Sequence, residues 1–153
     1  MLIVGTVAFV QEYRSEQTLE ALTTLVPNRC NVIRNGQVSN ISAEDLVPGD
    51  IIKLSCGDKI PADARIIACS GLLIDESTMT GETNPREKFA AAIPNIEEDS
   101  GIHDKGNIVF MGTLVCSGSG TAVVSTTGLL TEFGKTFQDT KDVEKNRTPL
   151  QVK

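Results

Sequence analysis

The sequence over residues 48–74 reads PGDIIKLSCGDKIPADARIIACSGLLI. It contains three short, mostly apolar runs, residues 51–55, 65–69 and 72–74, which are separated by glycine, proline, serine and aspartate. These separating residues favour tight turns, because glycine readily adopts positive φ and proline fixes its own φ. Short strands that recur about every ten residues between such turns are typical of an all-β sandwich or barrel. The stretch therefore predicts a mainly β fold.

Two further hairpins are predicted on either side of this stretch. Residues 31–39 contain Asn35-Gly36, which is the strongest short sequence signal for a two-residue hairpin turn. Residues 107–116 and 121–126 resemble strands, and Ser117-Gly118-Ser119-Gly120 lies between them. This run of serine and glycine predicts the turn of a second hairpin.

Both ends of the chain are predicted to be helical. Residues 1–25 lack proline, and residues 129–145 carry apolar side chains at helical spacing, with Gly134 as a weak point. The apolar run of residues 1–10 is too short to span a bilayer, which needs about 20 residues. It is either a buried element or the end of a transmembrane helix. A signal peptide fits poorly, because no basic segment precedes the run.

Composition excludes some classes of function. The chain has 153 residues, the length of one domain, and a net charge of −6 from 20 acidic and 14 basic residues. Neither basic clusters nor interleaved aromatic residues occur, which argues against a nucleic-acid partner. The four cysteines form no CxxC pair and His103 is the only histidine, so the ligand spacing of a zinc site is missing.

The isolated polar residues have simple predicted roles. We expect reduced, buried thiols at the cysteines, since free cysteine behaves as a small apolar residue. His103 lacks ligand or triad partners in the sequence and is expected to be solvated. Asp50, Asp58 and Asp63 each follow or close a glycine or proline turn, and we expect them to cap these turns. Metal binding through their oxygens is the alternative.

Residues 75–82, DESTMTGE, are the strongest candidate for chemistry. They place three carboxylates and three hydroxyls directly after the apolar run 72–74. Gly81 allows a sharp turn or a close approach to another surface. Glu82 would project from that turn as a base or a water-positioning group. Thr80-Gly81-Glu82 alone is also compatible with an ordinary turn whose glutamate faces solvent.

Several short motifs follow one another in a fixed order along the chain. They are Val47-Pro48-Gly49-Asp50, residues 57–63, residues 75–82, residues 107–113, Thr127-Gly128 and Phe133-Gly134, with residues 9–16, Leu25-Val26-Pro27 and Thr148-Pro149-Leu150-Gln151 at the ends. Taken together, these motifs resemble the actuator domain of P-type cation ATPases, and the likeness covers nearly the whole chain. The terminal segments most resemble the secretory-pathway Ca²⁺/Mn²⁺ pumps of the Golgi. Arg86 departs from the family pattern, in which a small apolar residue usually follows the proline.

The resemblance implies a fold and its divisions. The fold would be a distorted β jelly roll, similar to a double-stranded β-helix, with helices at both ends. Residues 1–26 would form the end of transmembrane helix two and a connecting helix. Residues 27–128 would form the jelly-roll core, with a surface loop over 84–106. Residues 129–153 would form a helix and a linker toward transmembrane helix three.

The resemblance also implies a role in dephosphorylation. In this family ATP phosphorylates an aspartate in a separate domain, and the actuator then rotates so that its loop covers the aspartyl phosphate. Glu82 matches the glutamate that orients or deprotonates the attacking water. Thr80 and Gly81 match the residues that shape the loop and bring its backbone near the phosphate. Rotation would also pull on the transmembrane helices.

Partners, cofactors and location follow from the same resemblance. The partners would be the phosphorylation and nucleotide-binding domains and the transmembrane helices of the same pump. ATP and Mg²⁺ would serve the whole enzyme, and the transported Ca²⁺ or Mn²⁺ would bind elsewhere. This chain would hold no cofactor or metal and would be inactive alone. It would lie on the cytosolic face of the Golgi or another secretory-pathway membrane.

Two alternatives remain at this point. The chain could belong to another cation pump, such as a plasma-membrane Ca²⁺ or proton ATPase. It could instead be a non-catalytic β-sandwich binding module. An exposed Glu82 on a protruding loop favours a pump, whereas a buried or capped Glu82 favours the binding module.

Overall fold

The computed structural model of the chain describes residues 27–94 and 100–138. The predictions for residues 1–26 and 139–153 lie outside the described residues. The strands are β1 (Arg29–Arg34), β2 (Gln37–Ser42), β3 (Ile51–Ser55), β4 (Asp63–Asp75), β5 (Arg86–Glu87), β6 (Ile108–Val109) and β7 (Leu114–Thr126). The helical segments are the single-turn helix α1 (Ser77–Thr80), three 3₁₀ turns (Ala43–Asp45, Ile102–Asp104 and Gly128–Leu130) and a helix over 132–138.

The seven described strands form one sheet in the spatial order β2-β1-β3-β7-β4-β5, with β6 paired to β4. All the pairings are antiparallel. The two 13-residue strands, β4 and β7, pair along nearly their whole length and form the centre of the sheet. The predicted mainly β fold is therefore confirmed.

The first predicted hairpin is confirmed. β1 and β2 pair from Arg29 opposite Ser42 to Arg34 opposite Gln37. Asn35 and Gly36 connect them with φ values of 53° and 74°. Positive φ at both central residues is the mark of a type I′ turn, whose twist matches that of the flanking strands.

The second predicted hairpin is wrong, and so is the turn predicted at Ser70-Gly71. Both segments lie inside continuous strands and face one another. Ser70 pairs with Ser119 and Leu73 pairs with Ser117, so two residues of β4 lie opposite Gly118 alone. This arrangement is a β-bulge, which bends the strands without ending them. The chain turns earlier, over residues 110–113, where Gly112 has a φ of 85°.

The core consists mainly of buried aliphatic side chains from the strands and from the segments that connect them. In β3, Ile52 and Leu54 are buried while Lys53 between them is exposed, as the two-residue period of a strand requires. The prediction of buried thiols holds for Cys30 only, and Cys56 is exposed. All four cysteines are free. Other fully buried apolar residues include Val32, Ile60, Ala64, Ile66, Leu72, Ile74, Val109, Val115, Ala122 and Val124.

The prediction that Asp63 caps its own turn is wrong, because its carboxylate bonds to segments that are distant in the sequence. Asp63 is buried, and its carboxylate accepts hydrogen bonds from the backbone amides of Met111 and Glu132, both at 2.8 Å. Burial raises the pKa of Asp63, and these two amides oppose that rise. The residue thus joins the 110–113 turn to the first residue of the 132–138 helix.

No helix within residues 27–94 and 100–138 is long and apolar enough to cross a membrane.

We expect Asp50→Asn to lower the free energy of unfolding of the 153-residue chain by about 1 kcal/mol at pH 7. The carboxylate of Asp50 accepts hydrogen bonds from Arg34 Nη2 at 2.6 Å and from the Val47 amide at 3.0 Å. Hydrogen bonding to Arg34 lowers the pKa of Asp50 from its ordinary value of 3.8. Its stabilising contribution is therefore present above pH 3.8 and is lost as the pH falls through the lower, folded-state pKa. Denaturant titrations from neutral to acidic pH check this, and a difference independent of pH would contradict it.

Candidate functional site

Hydrogen bonds to the Asp75 carboxylate and to the Glu76 carbonyl shape the segment that follows β4. The Oδ1 atom of Asp75 accepts a hydrogen bond from the Ser77 amide at 2.9 Å, and hydrogen bonding from Ser77 lowers the pKa of this carboxyl. The carbonyl of Glu76 accepts from the Met79 amide at 2.9 Å and from the Thr80 amide at 3.0 Å. These bonds close the single turn of α1.

Gly81 ends that turn and redirects the chain. It adopts a left-handed conformation, with φ 76° and ψ −6°, and its amide donates to the Ser77 carbonyl at 2.9 Å. A left-handed residue after a helix is a common C-terminal cap, and glycine adopts it without a steric penalty. The sequence placed a sharp turn here, and the structure has one.

Thr80 and Glu82 are connected through the threonine hydroxyl. Thr80 Oγ1 donates to the Glu76 carbonyl at 3.1 Å and accepts from the Glu82 amide at 3.2 Å. The hydroxyl therefore holds the backbone of Glu82 against the turn. The Glu82 side chain is 60% exposed and points away from the core. Its carboxylate is thus available to a group outside this domain.

Arg86 and His103 lie beside Glu82. Arg86 Nη1 is 2.5 Å from His103 Nδ1, and Glu82 Oε2 is 3.9 Å from the same nitrogen. Since a guanidinium only donates hydrogen bonds, the contact with Arg86 assigns the Nε2–H tautomer to a neutral His103. His103 is exposed, as predicted, but the expectation that it lacks partners is wrong. Residues from two segments, Glu82 to Phe89 and His103 to Gly106, line a cleft of about 560 Å³.

A buried ion pair lies beneath the loop. Glu76 Oε1 is 2.6 Å from Lys88 Nζ, and the two side chains are 1% and 2% exposed. The ammonium also lies 5.4 Å from the centre of the Phe110 ring. Burial lowers the pKa of Lys88, and the hydrogen bond and charge of Glu76 oppose that shift.

Sequence reasoning missed this pair. It grouped Glu76 with the exposed acids of residues 75–82 and assigned Lys88 to the surface loop over 84–106. In the structure that loop contains β5, whose pairing with β4 carries Lys88 back over the core. The pair is set by a contact between separate strands, and no local pattern signals it.

Gly81→Ala is expected to destabilise the chain by about 1–2 kcal/mol through backbone strain. No atom lies within 4 Å of the position that a Cβ would take, so steric contact adds nothing. Gly81→Asn should cost less, because asparagine tolerates the left-handed region. Free energies of unfolding of the two variants test this order. Equal losses in both would contradict the conformational explanation.

Within the described ranges, no group of three or more His, Cys, Asp or Glu side chains could hold a metal ion. Thr80, Gly81 and Glu82 lie together in one loop, and Glu82 lines the cleft. Asp58 accepts from the Ser55 amide at 2.9 Å, as the capping prediction requires. The arrangement thus offers a hydrogen-bonded loop that projects one carboxylate outward.

Comparison with known proteins identifies the family of the chain. The chain is 51% identical to "Calcium-transporting ATPase 1" of Schizosaccharomyces pombe and 48% identical to human "Calcium-transporting ATPase type 2C member 1", each over 151 residues. Each match covers 99% of this chain and 16% of the relative, so the chain spans a small part of these proteins. A crystal structure of a zinc-transporting PIB-type ATPase in the E2.Pi state superposes with a TM-score of 0.69 at 24% identity, over 87% of this chain and 19% of that one. This last likeness concerns the fold alone. The model of the P-type ATPase actuator domain matches residues 24–141, and the chain belongs to this family.

Proposed function

We propose that the chain is the actuator domain of a P-type ATPase that transports Ca²⁺ or Mn²⁺ across a secretory-pathway membrane. The calcium-transporting relatives support the ion, and the resemblance of the terminal segments to Golgi pumps supports the location and Mn²⁺. The observation that carries the catalytic part is the exposed Glu82 carboxylate, held out by the left-handed Gly81 and by the hydroxyl of Thr80.

The proposed reaction is hydrolysis of an aspartyl phosphate located on another domain. Water attacks the phosphorus, the bond from phosphorus to the aspartate oxygen breaks, and Glu82 accepts the proton of the water. Inorganic phosphate and a free aspartate result. Because a carboxylate repels a phosphate, Mg²⁺ and basic groups on the phosphorylated domain must offset the charge. Positioning of a general base in this way is worth about 10²–10⁴ in rate.

The remaining parts of the proposal concern the whole pump. ATP and Mg²⁺ act in the other domains, and the chain alone does not hydrolyse ATP. The actuator works on the cytosolic face, against the phosphorylation and nucleotide-binding domains, and its termini transmit rotation to the transmembrane helices. The exposure of Glu82 on a protruding turn disfavours the alternative of a β-sandwich binding module.

Phosphorylation assays on the whole pump test this proposal. The pump should form a phosphoenzyme from ATP when Ca²⁺ or Mn²⁺ is supplied, and Glu82→Gln should lengthen the lifetime of that species without preventing its formation. Formation that depends on protons instead of Ca²⁺ or Mn²⁺ would assign the chain to another pump. Unchanged turnover in Glu82→Gln would reject the role of the loop.

A further inference from the structure

The loop that contains Thr80-Gly81-Glu82 is closed at its base by two buried charges. Glu76 directly follows β4, and Lys88 directly follows β5. The chain between them leaves the core, forms α1 and the Gly81 turn, and returns through β5. The 2.6 Å contact between Glu76 Oε1 and Lys88 Nζ joins the two ends. We call these two side chains the Glu76–Lys88 clasp.

The surroundings of the clasp offer Glu76 no alternative partner. Apart from Lys88, no described residue forms a hydrogen bond with its carboxylate oxygens, so Lys88 is the polar group that compensates its charge. Lys88 is held in turn by the Phe110 ring and by the Lys105 carbonyl, 3.4 Å from Nζ. The Lys88 amide donates to the Leu72 carbonyl at 2.9 Å, which fixes its backbone to β4.

A continuous series of contacts connects the clasp to Glu82. The carbonyl of Glu76 accepts the Thr80 amide and hydroxyl, and that hydroxyl accepts the Glu82 amide. Any shift of Glu76 therefore moves Thr80, and Thr80 moves the backbone of Glu82. An ion pair restricts position more than an apolar contact does, because its energy depends on one short distance between two atoms.

We propose that Glu76 and Lys88 are positioning residues for dephosphorylation, which set the height and direction of Glu82 above the domain. This inference rests on the proposed function of the loop. A displacement of about 1 Å at a catalytic group can reduce a rate by roughly 10²-fold. Loss of the clasp should therefore slow phosphoenzyme hydrolysis by roughly 10–100-fold and leave phosphoenzyme formation unaffected.

The decisive variant in the whole pump is the double substitution Glu76→Met/Lys88→Met. Lys88→Met alone leaves an uncompensated buried carboxylate and can prevent folding, whereas an apolar pair of similar volume is generally tolerated. The double variant should form the phosphoenzyme from ATP at the normal rate and hydrolyse it slowly. Hydrolysis at the wild-type rate would overturn the proposal. An equal loss of formation and hydrolysis would also overturn it, because a purely structural role affects both.

Two further measurements separate positioning from other effects. In a Glu82→Gln background, the double substitution should slow hydrolysis by less than about threefold more, since it acts through Glu82. Full additivity would overturn the proposal.

The matched control is Arg34→Met/Asp50→Asn, which removes an ion pair between β1 and the turn before β3. This variant should hydrolyse the phosphoenzyme within about twofold of the wild-type rate. An equal slowing in this control would make the effect non-specific and overturn the proposal.

The same experiments distinguish this inference from the proposed function. If Glu82→Gln alone hydrolyses the phosphoenzyme normally, the proposed function fails and the clasp has nothing to position. If Glu82→Gln is slow and the double variant is fast, only the clasp proposal fails.

Discussion

Glu82→Gln in the whole pump is expected to slow hydrolysis of the phosphoenzyme by about 10²–10⁴-fold. Glutamine keeps the size of the side chain and its ability to accept a hydrogen bond, but it cannot take the proton of the attacking water. The side chain is 60% exposed, so the substitution should leave the fold intact. The measurement is the decay of radiolabelled phosphoenzyme after a chase with unlabelled ATP.

Glu87→Gln is the matched control for this prediction. Glu87 is exposed in β5 and borders the same cleft, so its replacement makes the same change of charge close to the loop. It should leave the decay of the phosphoenzyme within about twofold of wild type. Equal slowing in both variants would show that the local charge matters and not the carboxylate of Glu82.

Gly118→Ala is expected to destabilise the 153-residue chain by about 2–5 kcal/mol, from left-handed strain and steric overlap together. Gly118 has a φ of 77°, and a Cβ there would lie 2.1 Å from the Gly71 carbonyl oxygen and 2.5 Å from that of Ser70. Neither contact can be relieved by a side-chain rotation, because both partners are backbone atoms of β4. Thermal or denaturant unfolding measures the loss.

Gly57→Ala serves as its control. Gly57 has a φ of 89°, but no atom lies within 4 Å of the position of its Cβ. It should therefore show only the conformational cost of about 1–2 kcal/mol. Similar losses at both positions would mean that the close approach of β4 and β7 contributes nothing.

Local elements of the fold could be predicted because neighbouring residues decide them. Asn35-Gly36 produced its hairpin, since few residues other than asparagine and glycine accept two successive positive φ values. The apolar run of residues 51–55 became the strand β3. The carboxylates of Asp50 and Asp58 cap turns three residues from their own position. The order of the motifs identified the family as well.

The predictions from the sequence failed where segments that are distant along the chain come into contact. Ser70-Gly71 and Gly118 have the composition of turns, but they lie at a bulge between two long strands, where the backbone of β4 leaves no room for a Cβ at Gly118. A glycine in a sequence does not reveal whether the chain reverses there or another backbone passes near it. The contact of His103 with Arg86 could likewise not be predicted, because the two residues lie 17 positions apart.

The candidate site also combines features set by neighbouring residues with contacts between distant segments. The sharp turn at Gly81 could be predicted, because the left-handed conformation that glycine tolerates is a local feature. The burial of Glu76 and its contact with Lys88 could not, since they depend on the pairing of β5 with β4. Short-range conformational preference thus accounts for the shape of the loop. Long-range strand pairing decides which charges lie beneath it and how the loop is held.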